Sequence, residues 1–261
     1  MNKKSLLWQI DHPDFTGSCY LFGTMHVQDQ RAFRFVEPVL EVMDSCAVFA
    51  TEFNLDEATQ GISPNYLRLP GQQSYHDFLT AKQIGKLQKV VQQQVNLDIQ
   101  PYLTMKPLVL IQLITAFLLQ KDEQYSLDEY LFRQARQRGI SCVGLETYAE
   151  QLEILNQLPL ENQFKSLVAI SKNFKRFRKQ LLKTTTAYES ADVQQIFKAA
   201  KKSAQGMRKI LLYNRNALMT ERFLNLAREN SLLAAVGAGH LGGKKGVLRQ
   251  LKMANCRIFP V

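Results

Sequence analysis

Two short segments, one near each end of the chain, combine a glycine with a histidine three residues later. The first holds Gly23 and His26 and the second holds Gly237 and His240, each directly after an apolar run. A glycine just past a strand permits a tight turn, and loops at the carboxyl ends of parallel strands are where α/β proteins place their ligands. We therefore expect both histidines to lie at one edge of a sheet, where an imidazole can act as a base or bind a metal.

Two glutamates follow other apolar runs in the same way. Glu52 ends the run that starts at Cys46, and Glu146 ends the run that starts at Ile140. Each glutamate could simply cap the helix that follows it. Together with the histidines, they would instead form a set of two imidazoles and two carboxylates. Such a set can bind a divalent metal such as zinc, or let a carboxylate orient a histidine that acts as a general base.

Arg215 lies inside a predicted helix, at the boundary of its apolar face. A guanidinium in that position needs an anionic partner, and Glu52 or Glu146 would serve. The alternative is an ordinary salt bridge at the surface.

Short β-rich runs alternate with longer stretches of helical spacing, which predicts an α/β fold with a mixed central sheet and crossover helices. The first two runs, joined by a turn-rich segment, predict an antiparallel hairpin at one edge of the sheet. Almost wholly helical stretches at about 74–138 and 160–230 predict large helical insertions in a single domain that spans residues 1–261. The predicted strands are Leu6–Ile10, Ser18–Phe22, Cys46–Thr51, Ile140–Val143, Leu232–Val236 and Cys256–Val261.

The net charge of +10 belongs to one part of the chain. Residues 165–215 carry 13 basic residues against two acidic ones, whereas the remainder is nearly neutral. In residues 165–183 the apolar side chains fall on one face at helical spacing and the basic side chains largely on the other. This pattern predicts one amphipathic helix with a cationic face. That face is either solvated or a contact for an anionic substrate, a membrane surface or nucleic acid. The absence of a Gly-rich phosphate loop, an RNP-like aromatic run and a zinc module argues against nucleic acid.

Apolar segments and cysteines indicate the compartment. The longest apolar stretch, 108–119, is shorter than the ~20 residues of a spanning helix, and the first apolar run is too short for a signal peptide. The four cysteines show no CxxC spacing, which predicts reduced thiols rather than a zinc or disulfide framework. We expect a cytoplasmic protein without a membrane span, and the oligomeric state stays open.

The whole chain resembles the TraB/GumN family, which includes the Tiki-type proteases and is distantly similar to the erythromycin esterase and ChaN-like fold. Several blocks carry the resemblance in the same order along the chain. They are LFGTMHV, the strand-end Glu52, GLETYAEQLEIL, AYESAD, LLYNRNALM and the final AAVGAGHLGGKKGVLRQLKMANCRIFPV.

The resemblance implies an α/β core with a helical insertion and, from the Tiki-type members, a metal-dependent peptidase activity. It implies that His26, Glu52 and His240 are catalytic and hold the metal, that Glu146 belongs to the same catalytic site, and that the ion is manganese or cobalt. The substrate-binding residues implied with them are Gly23, Thr24, Tyr188, Arg215, Asn216 and Gly239.

Two functions from different classes follow. The leading hypothesis is a hydrolase that uses Mn, Co or Zn to cleave peptide amide or ester bonds in a peptide or a small acidic substrate. The competing hypothesis is a non-catalytic peptide-binding or regulatory protein, because some relatives are associated with shutting down peptide pheromone signals. Nucleic-acid contact through residues 165–209 is a weaker third hypothesis.

Overall fold

A six-stranded mixed sheet forms the centre of the molecule in a computed structural model that describes residues 4–59, 66–119, 121–204 and 206–261. The strands lie in the order β4-β3-β5-β2-β1-β6, and the first four of them run parallel to one another. The strands are β1 (Leu7–Asp11), β2 (Cys19–Thr24), β3 (Val48–Phe53), β4 (Ser141–Glu146), β5 (Leu232–Gly237) and β6 (Arg257–Pro260).

The observed strands confirm the predicted fold class, since each predicted run overlaps one strand of the sheet. The predicted hairpin is also present, because β1 pairs with β2 in antiparallel fashion. However, β1 is not the edge strand, because β6 adds to its free side with Trp8 opposite Pro260. The C-terminal strand therefore covers an edge that would otherwise expose unpaired backbone groups.

The parallel part of the sheet determines where the candidate residues meet. Thr24 at the end of β2 lies opposite Gly237 at the end of β5, and Phe53 at the end of β3 lies opposite Glu146 at the end of β4. Four carboxyl ends therefore lie side by side at one edge, as predicted from the glycine, histidine and glutamate positions.

Eleven α-helices are found among the described residues. They are α1 (Val36–Met43), α2 (Leu55–Thr59), α3 (Ala81–Val95), α4 (Pro107–Leu118), α5 (Leu127–Gln137), α6 (Tyr148–Gln157), α7 (Leu160–Lys172), α8 (Phe174–Glu189), α9 (Val193–Ser203), α10 (Arg215–Glu229) and α11 (Val247–Met253). A 3₁₀ turn covers Ala238–His240, and a π-helical segment covers Lys209–Asn214.

The apolar side chains form two separate clusters. The larger cluster packs around the sheet, with Phe49 and Leu233 fully buried at its centre. The smaller cluster joins α3, α4 and α7 with the start of α8 through residues such as Leu87 and Leu110. Part of the predicted insertions, namely α3, α4, α7 and the start of α8, thus has a core of its own, whereas α5, α9 and α10 contribute buried residues to the sheet cluster. The single-domain boundary stays a prediction.

The basic segment differs from the prediction of one continuous helix over 165–183. Asn173 leaves the helical conformation, with φ −146° and ψ 70°, and separates α7 from α8. Its side chain accepts a hydrogen bond from the backbone N–H of Arg176 and so caps the start of α8. Asparagine is a favoured N-cap residue because its short side chain can satisfy an unpaired helix N–H, and here this preference interrupts a continuous amphipathic pattern.

Within the described parts of the chain, none of the helices combines the length and the apolar character that crossing a membrane requires.

Candidate active site

Arg215 links the carboxylates of two strand ends. Its Nη2 donates to Glu52 Oε2 and to Glu146 Oε2, each at 2.5 Å, and its Nε donates to both oxygens of Glu146 at 3.0 Å. The Arg215 side chain is 13% exposed and that of Glu146 is fully buried. The predicted anionic partner of Arg215 is therefore confirmed, and both proposed glutamates fill that role.

The backbone before Arg215 is unusual. Arg215 begins α10 directly after the π-helical segment Lys209–Asn214, where hydrogen bonds span one residue more than in an α-helix. Such π-bulges are rare and frequent at functional sites. They change the direction in which the following side chains leave the helix, and here the first such side chain is the one between the two glutamates.

The charges in this cluster stabilise one another. Burial raises the pKa of Glu52, but Arg215, His240 and the backbone N–H of Gly237 lower it more, so that the pKa is about 2. Burial also disfavours the charged form of Arg215, yet Glu52 and Glu146 raise the pKa of its guanidinium above the usual value. Glu52 is therefore negatively charged and Arg215 positively charged throughout the physiological pH range.

His240 is buried beside this cluster and is held through one ring nitrogen. Its Nδ1 lies 2.6 Å from Asn216 Oδ1, and the Nδ2 group of the same amide donates to the Lys245 carbonyl at 2.7 Å. This network assigns the amide oxygen as the acceptor, so Nδ1 of His240 donates. The lone pair is then on Nε2, which is 3.5 Å from Arg215 Nη1 and 3.7 Å from Glu52 Oε1.

Burial also sets the protonation state of His240. Burial lowers its pKa, Glu52 raises it and Arg215 lowers it again, which leaves the pKa at about 4. The imidazole is therefore neutral at neutral pH, in agreement with the tautomer that its contacts require.

The protonation of His240 makes stability depend on pH. As the pH falls from 6.5 to about 4, the unfolded chain gains a proton that folded His240 cannot accept. We expect the free energy of unfolding to fall by up to about 3 kcal/mol across this window. The measurement is urea denaturation at several pH values for wild type, His240→Gln and the exposed control His76→Gln.

The difference in the free energy of unfolding between His240→Gln and the other two proteins, followed over pH, isolates the contribution of His240 to the pH dependence from that of all other groups. His76→Gln should follow the wild-type curve, whereas His240→Gln should lose less stability than wild type between pH 6.5 and 4. The contribution of Glu52 lies lower, between pH 4.5 and about 2, because its pKa in the folded protein is depressed. Parallel curves for all three proteins would contradict the burial of a neutral His240.

Two glycines let the strand ends approach closely. The backbone N–H of Gly237 donates to Glu52 Oε1 at 2.7 Å, and a Cβ on Gly237 would lie 3.0 Å from the same oxygen. A Cβ on Gly23 would lie 2.5 Å from Leu241 Cδ1 and 3.1 Å from Ala238 Cβ. Larger residues would therefore push the turn that carries His240 away from β2 and β3.

Several residues expected to bind substrate are instead buried. Tyr188 is 1% exposed, and its hydroxyl donates to the Gly23 carbonyl at 2.8 Å. Asn216 is 0% exposed and holds the His240 ring. Gly23 is enclosed by packing, and a Cβ on the half-buried Gly239 would lie 2.8 Å from Ala200 Cβ. Their contacts hold the strand ends and the His240 ring in place. Substrate binding by these residues stays a prediction.

His26 has different surroundings from His240. Its side chain is 77% exposed, and its Nδ1 lies 3.3 Å from Asp128 Oδ2 in the first turn of α5. The other oxygen of Asp128 accepts a hydrogen bond from Thr24 Oγ1 at 2.6 Å. The contact with Asp128 raises the pKa of His26 above its usual value, against the effect of desolvation, and Glu52 adds to the increase. Thr24, predicted to bind substrate, is 2% exposed and orients Asp128.

A cleft of about 1130 Å³ opens beside His26. One side is the largely apolar face of α4, including Ile111 and Ala116, and the other is α5, which contributes Glu129 and Arg133. An apolar cleft with a few polar groups at its rim is the usual form of a small-molecule or peptide site. His26 is the member of the predicted catalytic set that lines it.

The residues present do not fit the predicted metal centre. Within the described ranges, no three His, Cys, Asp or Glu side chains are arranged to hold a metal ion. The oxygens of Glu52 and Glu146 already accept hydrogen bonds from Arg215, Gly237 and Gln151. His26 is paired with Asp128, so the proposed ligands His26, Glu52 and His240 do not converge as a set. The divalent ion stays a prediction.

Two members of the site were not identified from the sequence. Asp128 is separated from His26 by about a hundred positions, and its place after Ser126 is typical of an ordinary helix start. Gln151 contacts Glu146 at 3.1 Å and Glu52 at 3.4 Å through its amide nitrogen. The one available signal for Gln151 was its position in α6, four residues after the N-cap Thr147.

Comparison with known proteins supports the resemblance. The model of the TraB/PrgY/gumN family matches residues 6–258, which is nearly the whole chain. A search of curated proteins and a search of solved structures found no match. The matched range contains both glycine–histidine motifs, both strand-end glutamates and Arg215. The chain belongs to the TraB/PrgY/gumN family.

Proposed function

We propose that this protein hydrolyses peptide amide or ester bonds in a substrate that lies in the cleft beside His26. The observation that carries the proposal is the 3.3 Å contact between the carboxylate of Asp128 and the exposed imidazole of His26, which lines this cleft. A carboxylate that holds one ring nitrogen fixes the tautomer and leaves the other nitrogen available for proton exchange.

The environment of His26 also suits proton transfer near neutral pH. Asp128 raises the pKa of His26 above its ordinary value, and Glu52 adds to the increase. General bases work best when their pKa lies near the working pH. His240, with a pKa of about 4, is a much weaker base and is buried as well.

The reaction needs a single proton carrier. Nε2 of His26 removes a proton from water while the water oxygen bonds to the substrate carbonyl carbon, and the carbonyl electron pair moves to oxygen. When the intermediate collapses, the C–N or C–O bond breaks and the protonated imidazole gives its proton to the leaving nitrogen or oxygen. The products are a carboxylic acid and an amine or alcohol, and His26 returns to its neutral form.

Arg215 has a positioning role in this mechanism. Its Nε and Nη2 are both taken by Glu52 and Glu146, so these atoms are not free to bind a substrate carboxylate. The guanidinium instead fixes the strand ends that carry the glutamates beside the turn of His240. A substrate anion would also meet the negative charge of Glu52 there, which disfavours its binding.

The proposal is tested by incubating the protein with a peptide library and with short activated esters, and by following the products by mass spectrometry. We expect cleavage by wild type and by His76→Ala, which removes another exposed histidine, and no cleavage above background by His26→Ala. The assay is run with and without added Mn²⁺, Co²⁺ or Zn²⁺, because the family resemblance implies a divalent ion.

The same experiment addresses the competing binding function. Peptides that bind the protein and are recovered intact, even with excess metal ion, would support a non-catalytic regulatory role and contradict hydrolysis. Cleavage that His26→Ala retains would contradict the assignment of the base.

A further inference from the structure

A groove with a strongly cationic wall lies on α8, away from the residues of the candidate active site. It has a volume of about 530 Å³ and is lined by four cations of α8 together with polar residues at the α8–α9 junction. The four cations are Lys175, Arg178, Lys179 and Lys183, and Leu182 lies among them. The proposed hydrolysis makes no use of this groove.

The spacing of these lysines places them on one helix face. Lys175, Lys179 and Lys183 are each four residues apart, so their side chains follow one stripe that extends over about 12 Å. Like charges at this spacing repel one another and reduce helix stability. The stripe is therefore maintained at a cost to the folded protein, which a bound anion would remove.

Carboxylates do not neutralise this stripe. In the parts of the chain that the structure describes, none of the four cations that line the groove forms an ion pair, whereas Arg138 pairs with Asp44 and Arg222 with Glu150. The segment 165–215 contains two acidic residues, and Asp192 is used to cap α9 by accepting from the Gln195 N–H at 3.0 Å. Lys198, Lys201 and Lys202 on the neighbouring α9 are also exposed and extend the positive surface.

An apolar residue lies among these cations. Leu182 lines the groove and is 38% exposed, although the apolar face of α8 otherwise packs inward. A lipid surface offers phosphate groups to the lysines and apolar contacts to such a leucine. Proteins that bind single-stranded nucleic acid use aromatic rings on which bases stack, and the described lining of the groove contains no aromatic residue.

We propose that the α8 face docks on the surface of a membrane that contains anionic lipids, with phosphate headgroups in the groove and Leu182 in contact with the lipid. The attraction is mainly electrostatic, since each basic residue near an anionic surface adds to binding and the effect decreases within a Debye length. The charge excess of the whole chain is concentrated on this segment, so it also orients the molecule during approach.

The test is sedimentation with vesicles of phosphatidylcholine alone or with 40% phosphatidylglycerol, at low and at physiological salt. The variant Lys175→Gln/Lys179→Gln/Lys183→Gln should bind the anionic vesicles about 100-fold more weakly than wild type. The matched control is Lys82→Gln/Lys86→Gln/Lys89→Gln, which removes three exposed lysines from α3 and leaves the same net charge. All six lysines are exposed, so circular dichroism should show intact folding for both variants.

A second variant separates lipid from other polyanions. Leu182→Ala leaves the charge unchanged and should weaken vesicle binding about threefold, with no effect on binding to duplex or single-stranded RNA. Equal losses in the two triple variants, binding that does not depend on phosphatidylglycerol, or tighter binding to RNA than to the vesicles would each overturn the proposal. None of these measurements uses hydrolysis, so they stand apart from the proposed activity.

Discussion

Replacing His26 with alanine is expected to lower kcat for hydrolysis by about 100- to 10,000-fold, which is the usual contribution of a positioned general base. The side chain is exposed, so the variant should fold as wild type does. The control His76→Ala removes an exposed histidine outside the cleft and should leave kcat unchanged. The measurement is steady-state kinetics on the best substrate from the library, with Tm determined for all three proteins.

Asp128→Asn probes the partner of this histidine. Asparagine can still accept from Thr24 and keeps the size of the side chain, but it removes the charge that raises the pKa of His26. The imidazole then loses its proton at a lower pH, so the acidic limb of the kcat/KM profile should move to lower pH while the maximal rate falls. NMR titration of the His26 ring gives the same shift without relying on activity.

An unchanged acidic limb in Asp128→Asn, together with an unchanged His26 titration, would contradict the pairing. A retained rate in His26→Ala with a normal Tm would remove His26 from the mechanism altogether. A changed titration with an unchanged rate would place the pair outside the chemical step.

The sequence was sufficient to predict the strands but not their order. Each strand is a local apolar run, and local periodicity is what a single sequence records. The insertion of β5 between β3 and β2 depends on pairings such as Phe49 with Leu233, which are separated by most of the chain. The prediction that the strand ends meet succeeded because parallel strands share one edge, whichever order they take.

The sequence identified those residues of the candidate site that are marked by a pattern in the neighbouring residues. Glu52, Glu146 and His240 follow directly from strands, and Arg215 is conspicuous as a charge near an apolar boundary. Asp128 had no such signal, because a helix start with Ser126 and two acidic residues is explained by capping alone. Its role arises because the first turn of α5 meets the end of β2, where Thr24 donates to Asp128, and no spacing along the chain reveals this tertiary contact.

Removing the Arg215 side chain is expected to give the largest loss of stability of any single change in the site. Arg215→Met keeps the length of the side chain but leaves Glu146 buried and Glu52 largely buried without their cation. Breaking a buried ion pair from one side costs about 3–5 kcal/mol. Urea denaturation at pH 7 and 25 °C should therefore show a correspondingly lower free energy of unfolding.

Arg222 on the same helix provides a matched control. It forms two hydrogen bonds of 2.7 Å with the carboxylate of Glu150, but both side chains are about one-third exposed. Exposed pairs contribute at most about 1 kcal/mol, so Arg222→Met should cost far less than Arg215→Met. Similar costs for the two variants would show that the carboxylates at the strand ends do not depend on Arg215.

A double variant separates the loss of attraction from the loss of packing. Arg215→Met combined with Glu146→Gln removes the more deeply buried charge as well, and an uncharged amide costs less to bury than a carboxylate. We expect the double variant to be more stable than Arg215→Met alone, although Glu146→Gln by itself should destabilise the wild type. Glu146→Gln thus changes from destabilising to stabilising, because without Arg215 the buried carboxylate has lost the cation that offsets the cost of burying its charge. Strictly additive effects would mean that packing around Arg215, and not the charge of Glu146, accounts for its contribution.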